Sequence, residues 1–302
     1  MSQSGCSAGV VFCSLPVELA GLIDHQIPSS IWFISNEFKG GAGMAVNETS
    51  ELPLSFLEIG IPSRKIAVRA RSGAEPGLFW LSGFNSDMKG TKAEALDHWA
   101  EARGRACVRF DYSGHGESGG AFVDGTIGRW LEETLAVFDA HCSGPQVVVG
   151  SSMGGWIALL LARELLRREN SAVRLAGLVL IAPAPDFTEA LLWPGLPSAA
   201  RKQIEQDGQW LRPSQYGEPY PITRGLIEDG RNHLLLNGSV ETGCPVRIFQ
   251  GRQDPDVPWQ HAMTLVSHMP SDDVVLTMIQ DGDHRLSRPQ DIARILAAVA
   301  EF

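Results

Sequence analysis

The stretch Gln146-Val147-Val148-Val149-Gly150-Ser151-Ser152-Met153-Gly154-Gly155-Trp156 decides the fold. Its opening apolar run reads as a strand buried on both faces. Residues 153–168 carry the leucine- and alanine-rich pattern of a helix. Between strand and helix stands Gly150-x-Ser152-x-Gly154. A turn this sharp would drive flanking side chains into one another, which is why glycine stands two residues to either side of the serine. Ser152 then projects from the edge of a sheet with its Oγ exposed. A serine-rich connection without chemical use would contain the same residue types. The strand-turn-helix setting favours a nucleophile.

Working outward, short apolar runs alternate with segments of helical period. The spacing predicts strands at 54–59, 65–70, 77–82, 105–110, 146–150, 176–182, 246–250 and 274–279. It predicts helices at 91–103, 127–141, 153–168, 259–269 and 289–299. Such alternation implies an α/β fold: a mostly parallel eight-stranded sheet with helices on both faces. No helix separates the first two strands, so they are expected to form an antiparallel hairpin at one edge. Residues 184–241 break the rhythm. They carry Trp193, Trp210, Tyr216 and Tyr220 among prolines and glycines, and are expected to form a short helical lid inserted into a domain spanning 44–302.

Composition narrows the function classes. The 302 residues are 44% hydrophobic and 20% charged, which excludes a disordered chain, a collagen and a coiled coil. Lys and Arg number 25 against 35 Asp and Glu, a net charge of -10 that repels phosphate backbones, so no nucleic-acid partner is expected. No uncharged apolar run is long enough to span a bilayer. The five cysteines are odd in number and lack CxxC or zinc spacing, which suits thiols in a reducing, cytoplasmic setting. Residues 1–43 have Lys39 as their first basic residue and no arginine, so they show neither a secretory nor a transit pattern. They read as a loosely ordered extension, or as a product of start-codon choice with Met44 as the true start.

Gly114-His115-Gly116-Glu117-Ser118-Gly119 matches Gly-x-Gly-x-x-Gly after a strand. A dinucleotide site needs a helix to begin there. Residues 120–125 continue as loop instead, and no cofactor is expected.

With Ser152 in this setting, the chain resembles the α/β-hydrolase family over roughly residues 54–302. Serine hydrolases of that family order their triad Ser, Asp, His along the chain. The resemblance puts the acid at Asp254, in Gly251-x-x-Asp254-x-x-Val257-Pro258, and the base at His284, after the last strand. It also puts oxyanion-hole donors at the backbone N–H groups of Met153 and Phe84. Ser82 stands where the family often has His, which costs little because the donor is main chain. Asp256 and Asp186 are competing acids, although the Asp-x-x-Val-Pro register favours Asp254. Asp283 adjoins His284, and neighbours in sequence point apart. The other histidines show no ligand spacing. His233, in the insertion, is a candidate substrate contact.

Several stretches are similar to one branch of the family, the mitochondrial palmitoyl-protein thioesterases that are also associated with acyl-glucuronide cleavage. They include residues 85–92, 109–114 and 150–156, Trp210 with 213–216, 244–247, 257–259 and 283–285. The resemblance implies an enzyme that cleaves acyl thioesters or carboxylic esters through an acyl-enzyme on Ser152. The alternatives are a small-molecule carboxylesterase without a protein substrate, and a non-catalytic ligand receptor on the same fold. Phe187, Leu191, Trp193 and Trp210 in the insertion suit a groove for an apolar acyl group. They suit the lid's own core equally well.

Overall fold

The computed structural model describes residues 52–168, 175–214, 218–270 and 273–302. The expectations for residues 1–43, Met44 and Tyr216 lie outside them. The chain runs β1 (Leu54–Ile59), β2 (Arg64–Arg71), β3 (Ala74–Leu81), α1 (Thr91–Ala102), β4 (Arg105–Phe110), α2 (Ile127–His141), β5 (Gln146–Ser151), α3 (Met153–Leu166) and β6 (Leu175–Ile181). The insertion follows, with a π-helical turn (Thr188–Leu192), α4 (Trp193–Gly195), α5 (Ser198–Asp207), β7 (Gln209–Arg212), β8 (Tyr220–Thr223) and α6 (Arg224–Gly230). β9 (Val246–Gly251), α7 (Trp259–Ser267), β10 (Val274–Ile279) and α8 (Pro289–Val299) complete it.

Among the described residues, one eight-stranded sheet has the order β1-β2-β4-β3-β5-β6-β9-β10. β2 is antiparallel to both of its neighbours, and every other pairing is parallel. The expected edge hairpin is present as β1 and β2. β3 begins earlier than the sequence pattern suggests. Pro76 lacks the N–H of a regular ladder, and the pairing with β4 shifts between Ala74 and Leu78.

The period of the strands divides the core between the two faces. Val147 and Val149 pack on one side with Trp80, Phe249 and Ile295, under α1 and α8. Val148 points the other way, among Phe79, Phe138 and Trp156, under α2 and α3. α3 is buried along most of its length, which explains a sequence too apolar for a surface helix. α2 is anchored at its start, where the Thr126 side chain accepts the Arg129 N–H at 3.2 Å.

The insertion has its own core of Leu192, Leu196, Ala200, Ile204, Ile222 and Ile227. It is less helical than expected, because β7 and β8 pair as an antiparallel ribbon. Each is four residues long and half-exposed, too short for an alternating pattern to stand out.

Candidate active site

Parallel strands deliver their C-terminal ends to one rim, and the crevice there is where open α/β sheets gather reactive groups. Four connections meet at this rim, those leaving β3, β5, β9 and β10. Ser152 caps α3 with φ 54° and ψ −117°, a strained left-handed conformation in which its side chain leaves the sheet edge. The strain is held from both sides: Ser152 N–H donates to Ile181 O at 2.8 Å, and Ser152 O accepts from Gly155 N–H and Ala184 N–H at 2.9 and 3.1 Å. Gly154 is required by close approach, since a Cβ there would collide with Leu81 O.

The side chains of Ser152, His284 and Asp254 meet in a line. His284 Nε2 lies 3.1 Å from Ser152 Oγ, and His284 Nδ1 lies 2.8 Å from Asp254 Oδ2. A carboxylate only accepts, so Nδ1 carries the proton and Nε2 offers its lone pair to the serine hydroxyl. The Asp254 side chain is fully buried, while that of His284 is 20% exposed. Asp254 is held by more than histidine. Oδ1 accepts the N–H groups of Asp256 and Val257 at 2.9 and 2.8 Å, and Oδ2 accepts Gln250 Nε2 at 3.2 Å. Four donors on one carboxylate fix its plane and its orientation toward the His284 ring.

The competing acids have other work. Asp186 accepts the N–H groups of Leu235 and Leu236, closing the loop that carries the insertion. Burial raises its pKa, partly offset by those bonds. Asp283 accepts Leu286 N–H at 3.0 Å. Asp256 is exposed, and it touches Asp254 through its backbone. Among the described residues, Asp254, Asp256 and His284 bring candidate metal-ligand atoms within 4.8 Å of one another. Yet the Asp254 oxygens already receive four hydrogen bonds, so this set reads as an acid-base line. The glycine run at 114–119 wraps the Asp111 carboxylate, which accepts Met88 N–H at 2.7 Å and Glu117 N–H at 2.8 Å. Burial pushes the Cys107 thiol up to about 12, which makes it a poor nucleophile.

A cleft of about 460 Å³ opens over Ser152. Phe84, Phe187, Leu191, Leu192, Tyr220 and Val257 line its apolar part, and Met153 forms its base beside the serine. Of the lid residues expected there, Phe187 and Leu191 line the cleft. Trp193 and Trp210 are not among its lining residues and pack against the core of the insertion. His233 is likewise absent from the lining; its ring stands 3.6 Å from Asp229 and its carbonyl accepts Trp156 Nε1. Lys92, Arg212 and Arg285, beside Asp87 and Asp256, give the cleft a charged side whose cations the sequence reading missed. Lys92 Nζ donates to Arg285 O at 2.6 Å and Ser287 Oγ at 3.1 Å, tying α1 to the loop of His284. Burial, aided by the Arg285 charge, brings its pKa down to about 8. A lysine in the first turn of an amphipathic helix carries no sequence signal of this role.

The loop after β3 lies against the nucleophile. A Cβ on Gly83 would stand 3.3 Å from Ser151 O and 3.5 Å from Ser152 Cβ. Gly83→Ala is therefore expected to shift this loop by a few tenths of an ångström. The expected fall in kcat is about tenfold to a hundredfold, with little change in Tm. Steady-state kinetics beside a thermal melt checks it, and an unchanged kcat would show that the loop's position is immaterial.

The family model described as the alpha/beta hydrolase family matches residues 76–297. The chain is 32% identical over 277 residues to the mouse protein named palmitoyl-protein thioesterase ABHD10, mitochondrial, covering 91% of this chain and 87% of the relative. The solved structure of alpha/beta hydrolase domain-containing protein 10 from mouse superposes with a TM-score of 0.73 at 34% identity, over 82% of this chain and 97% of that one. A crystal structure of a protein described only as a hydrolase, from Agrobacterium vitis S4, superposes with a TM-score of 0.79 at 51% identity, over 82% of this chain and 98% of that one.

Proposed function

The chain belongs to the alpha/beta hydrolase family, and from that premise we propose that it is a serine hydrolase cleaving acyl thioesters or carboxylic esters through an acyl-enzyme on Ser152. The observation that carries this is the unbroken line from Ser152 Oγ through the His284 ring to buried Asp254, at 3.1 and 2.8 Å. A serine hydroxyl is a weak nucleophile near neutral pH. His284 Nε2 takes its proton as Oγ attacks the acyl carbon, and Asp254 stabilises the resulting imidazolium. His284 then returns the proton to the leaving oxygen or sulfur, and repeats the cycle with water to release the acid. A thiolate needs that proton less than an alkoxide does, so one triad serves both leaving groups. The N–H groups of Met153 and Phe84 are assigned to the developing oxyanion, each worth about 3 kcal/mol of barrier.

The apolar lining from Phe84, Phe187, Leu191, Leu192, Tyr220 and Val257 supports an acyl chain as the group held during the reaction. The name of the mouse relative, palmitoyl-protein thioesterase, points the same way. The charged side of the cleft, with Lys92, Arg212 and Arg285 beside Asp87 and Asp256, favours a second reading, a small-molecule carboxylesterase whose substrates carry polar groups and no protein. A chain-length series of acyl thioesters, run beside matched p-nitrophenyl esters, separates the two. Turnover that rises with acyl length on thioesters supports the first reading. Turnover confined to short esters supports the second. Failure of a fluorophosphonate to label Ser152 would leave a ligand receptor instead.

Among the described residues, no helix is long and apolar enough to cross a membrane. Cytoplasmic residence is part of the same proposal, supported by the odd number of cysteines, 5, in the sequence. The mammalian relatives are named mitochondrial. Fractionation of the source cells, with the protein followed by antibody, tests the location.

A further inference from the structure

We propose that His115 is a positioning residue for the oxyanion loop: as a neutral ring with its proton on Nδ1, it holds the Phe84–Asn85 peptide plane and so steadies the turn that presents the N–H of Phe84. The inference rests on the serine-hydrolase reading above and assigns a task to the glycine run at 114–119.

The ring is 5% exposed and has a definite partner at each nitrogen. Nδ1 lies 3.1 Å from Ser113 O, and Nε2 lies 3.2 Å from Asn85 N. A carbonyl only accepts and a backbone N–H only donates, so Nδ1 must donate and Nε2 must accept. A single tautomer satisfies both. An imidazolium would set its Nε2 proton against the Asn85 proton. Burial among the rings of Tyr112, Phe122 and Trp130 lowers the pKa of His115, only partly opposed by the Ser113 carbonyl and by Asp87.

What the ring holds sits beside the nucleophile. Ser86 N–H donates to Gly83 O at 3.2 Å, which closes a turn around Phe84 and Asn85. Asn85 sits at φ 56°, a left-handed conformation that asparagine tolerates and that still needs support. Its N–H shares one rigid plane with the Phe84 carbonyl. The Phe84 N–H lies in the neighbouring plane with Gly83 O, which accepts Ser86 N–H, so with both planes held at the two ends of Phe84 its N–H keeps one direction. The ring cannot swing to follow the loop, because its other partner is itself anchored. Ser113 O also accepts Trp130 Nε1 at 3.2 Å, and Ser113 N–H donates to Glu133 Oε2 at 2.9 Å. Glu133 is fully buried and paired with Arg64 at 2.7 Å. A continuous polar chain thus runs from β2 and α2 to the oxyanion loop, and His115 is its last link.

Two variants and three readouts test this. His115→Phe keeps the ring volume and the aromatic neighbours but removes the acceptor. His115→Gln keeps an acceptor within reach. kcat and KM on a p-nitrophenyl ester are measured with Tm and with the Ki of a boronic acid, whose tetrahedral Ser152 adduct places an oxygen in the oxyanion hole. His115→Phe is expected to lower kcat about tenfold to a hundredfold with KM within about twofold, and to weaken the boronic acid by a similar factor. His115→Gln is expected to recover most of both. An active wild type with His115→Phe at full kcat overturns this proposal and leaves the hydrolase reading intact. Parallel loss of kcat, KM and Tm with no recovery in His115→Gln reduces His115 to a packing residue and also overturns it. A wild type that turns over no ester or thioester removes the hydrolase reading and this inference together.

Discussion

Ser152→Ala is expected to lower kcat by about a million-fold, and adding His284→Ala to it is expected to cost almost nothing more. Once the attacking oxygen is gone, an imidazole has no proton to collect, so the two side chains act as one unit. The fold should survive. Alanine and serine share the Cβ that makes φ 54° costly, so the strain of the turn is the same before and after. The side-chain hydrogen bond lost is the one to His284, which is partly exposed and can be solvated. Tm should therefore move by no more than a few degrees. Residual turnover should come from the oxyanion donors and substrate binding alone. A loss of only tenfold would mean that another hydroxyl attacks. Ser86 and Ser151, which also line the cleft, would be the first to replace.

The reading of β5, Ser152 and α3 rests on rules that act within a dozen residues. Strand period, turn sterics and helix pattern all apply along the chain, and β1, β4, β10, α2 and α8 match the predicted bounds for the same reason. Asp254 and His284 follow only from a resemblance in motif and order, because no local property distinguishes a carboxylate that will face a distant ring. The cleft shows where this reasoning ends. Phe187 and Trp193 look alike in sequence, yet Phe187 lines the cleft and Trp193 packs in the insertion. Which way an aromatic ring turns depends on the π-helical turn between them and on the ribbon of β7 and β8, and neither has a pattern strong enough to read. His115 carries no sequence signal of its role, because a histidine in a glycine-rich loop is commonly a surface residue. Its role exists only once Asn85, remote in sequence, is placed on its Nε2.

Asp254→Asn is expected to lower kcat about ten-thousand-fold, and the surrounding hydrogen bonds say why the substitution cannot escape by rotating its amide. Oδ1 of Asp254 faces two backbone donors, the N–H groups of Asp256 and Val257 at 2.9 and 2.8 Å. An asparagine must put its oxygen there, since an NH₂ group would oppose both. Its nitrogen then takes the place of Oδ2, facing His284 Nδ1. That nitrogen donates, so Nδ1 must accept, and the ring proton moves to Nε2. A histidine in this tautomer presents a hydrogen to Ser152 Oγ and cannot take one from it. The side chains stay within reach of one another while proton transfer stops. Gln250 Nε2, which donates to Oδ2 at 3.2 Å, would also meet a second donor. Asp256→Asn is the matched control. Its side chain is exposed and its backbone N–H is unchanged, so kcat should stay within a few-fold of wild type. Equal, large losses at both positions would place the acid at neither alone. Parallel kinetics on the two variants, with an NMR assignment of the His284 tautomer in Asp254→Asn, decides between a lost charge and a reversed proton.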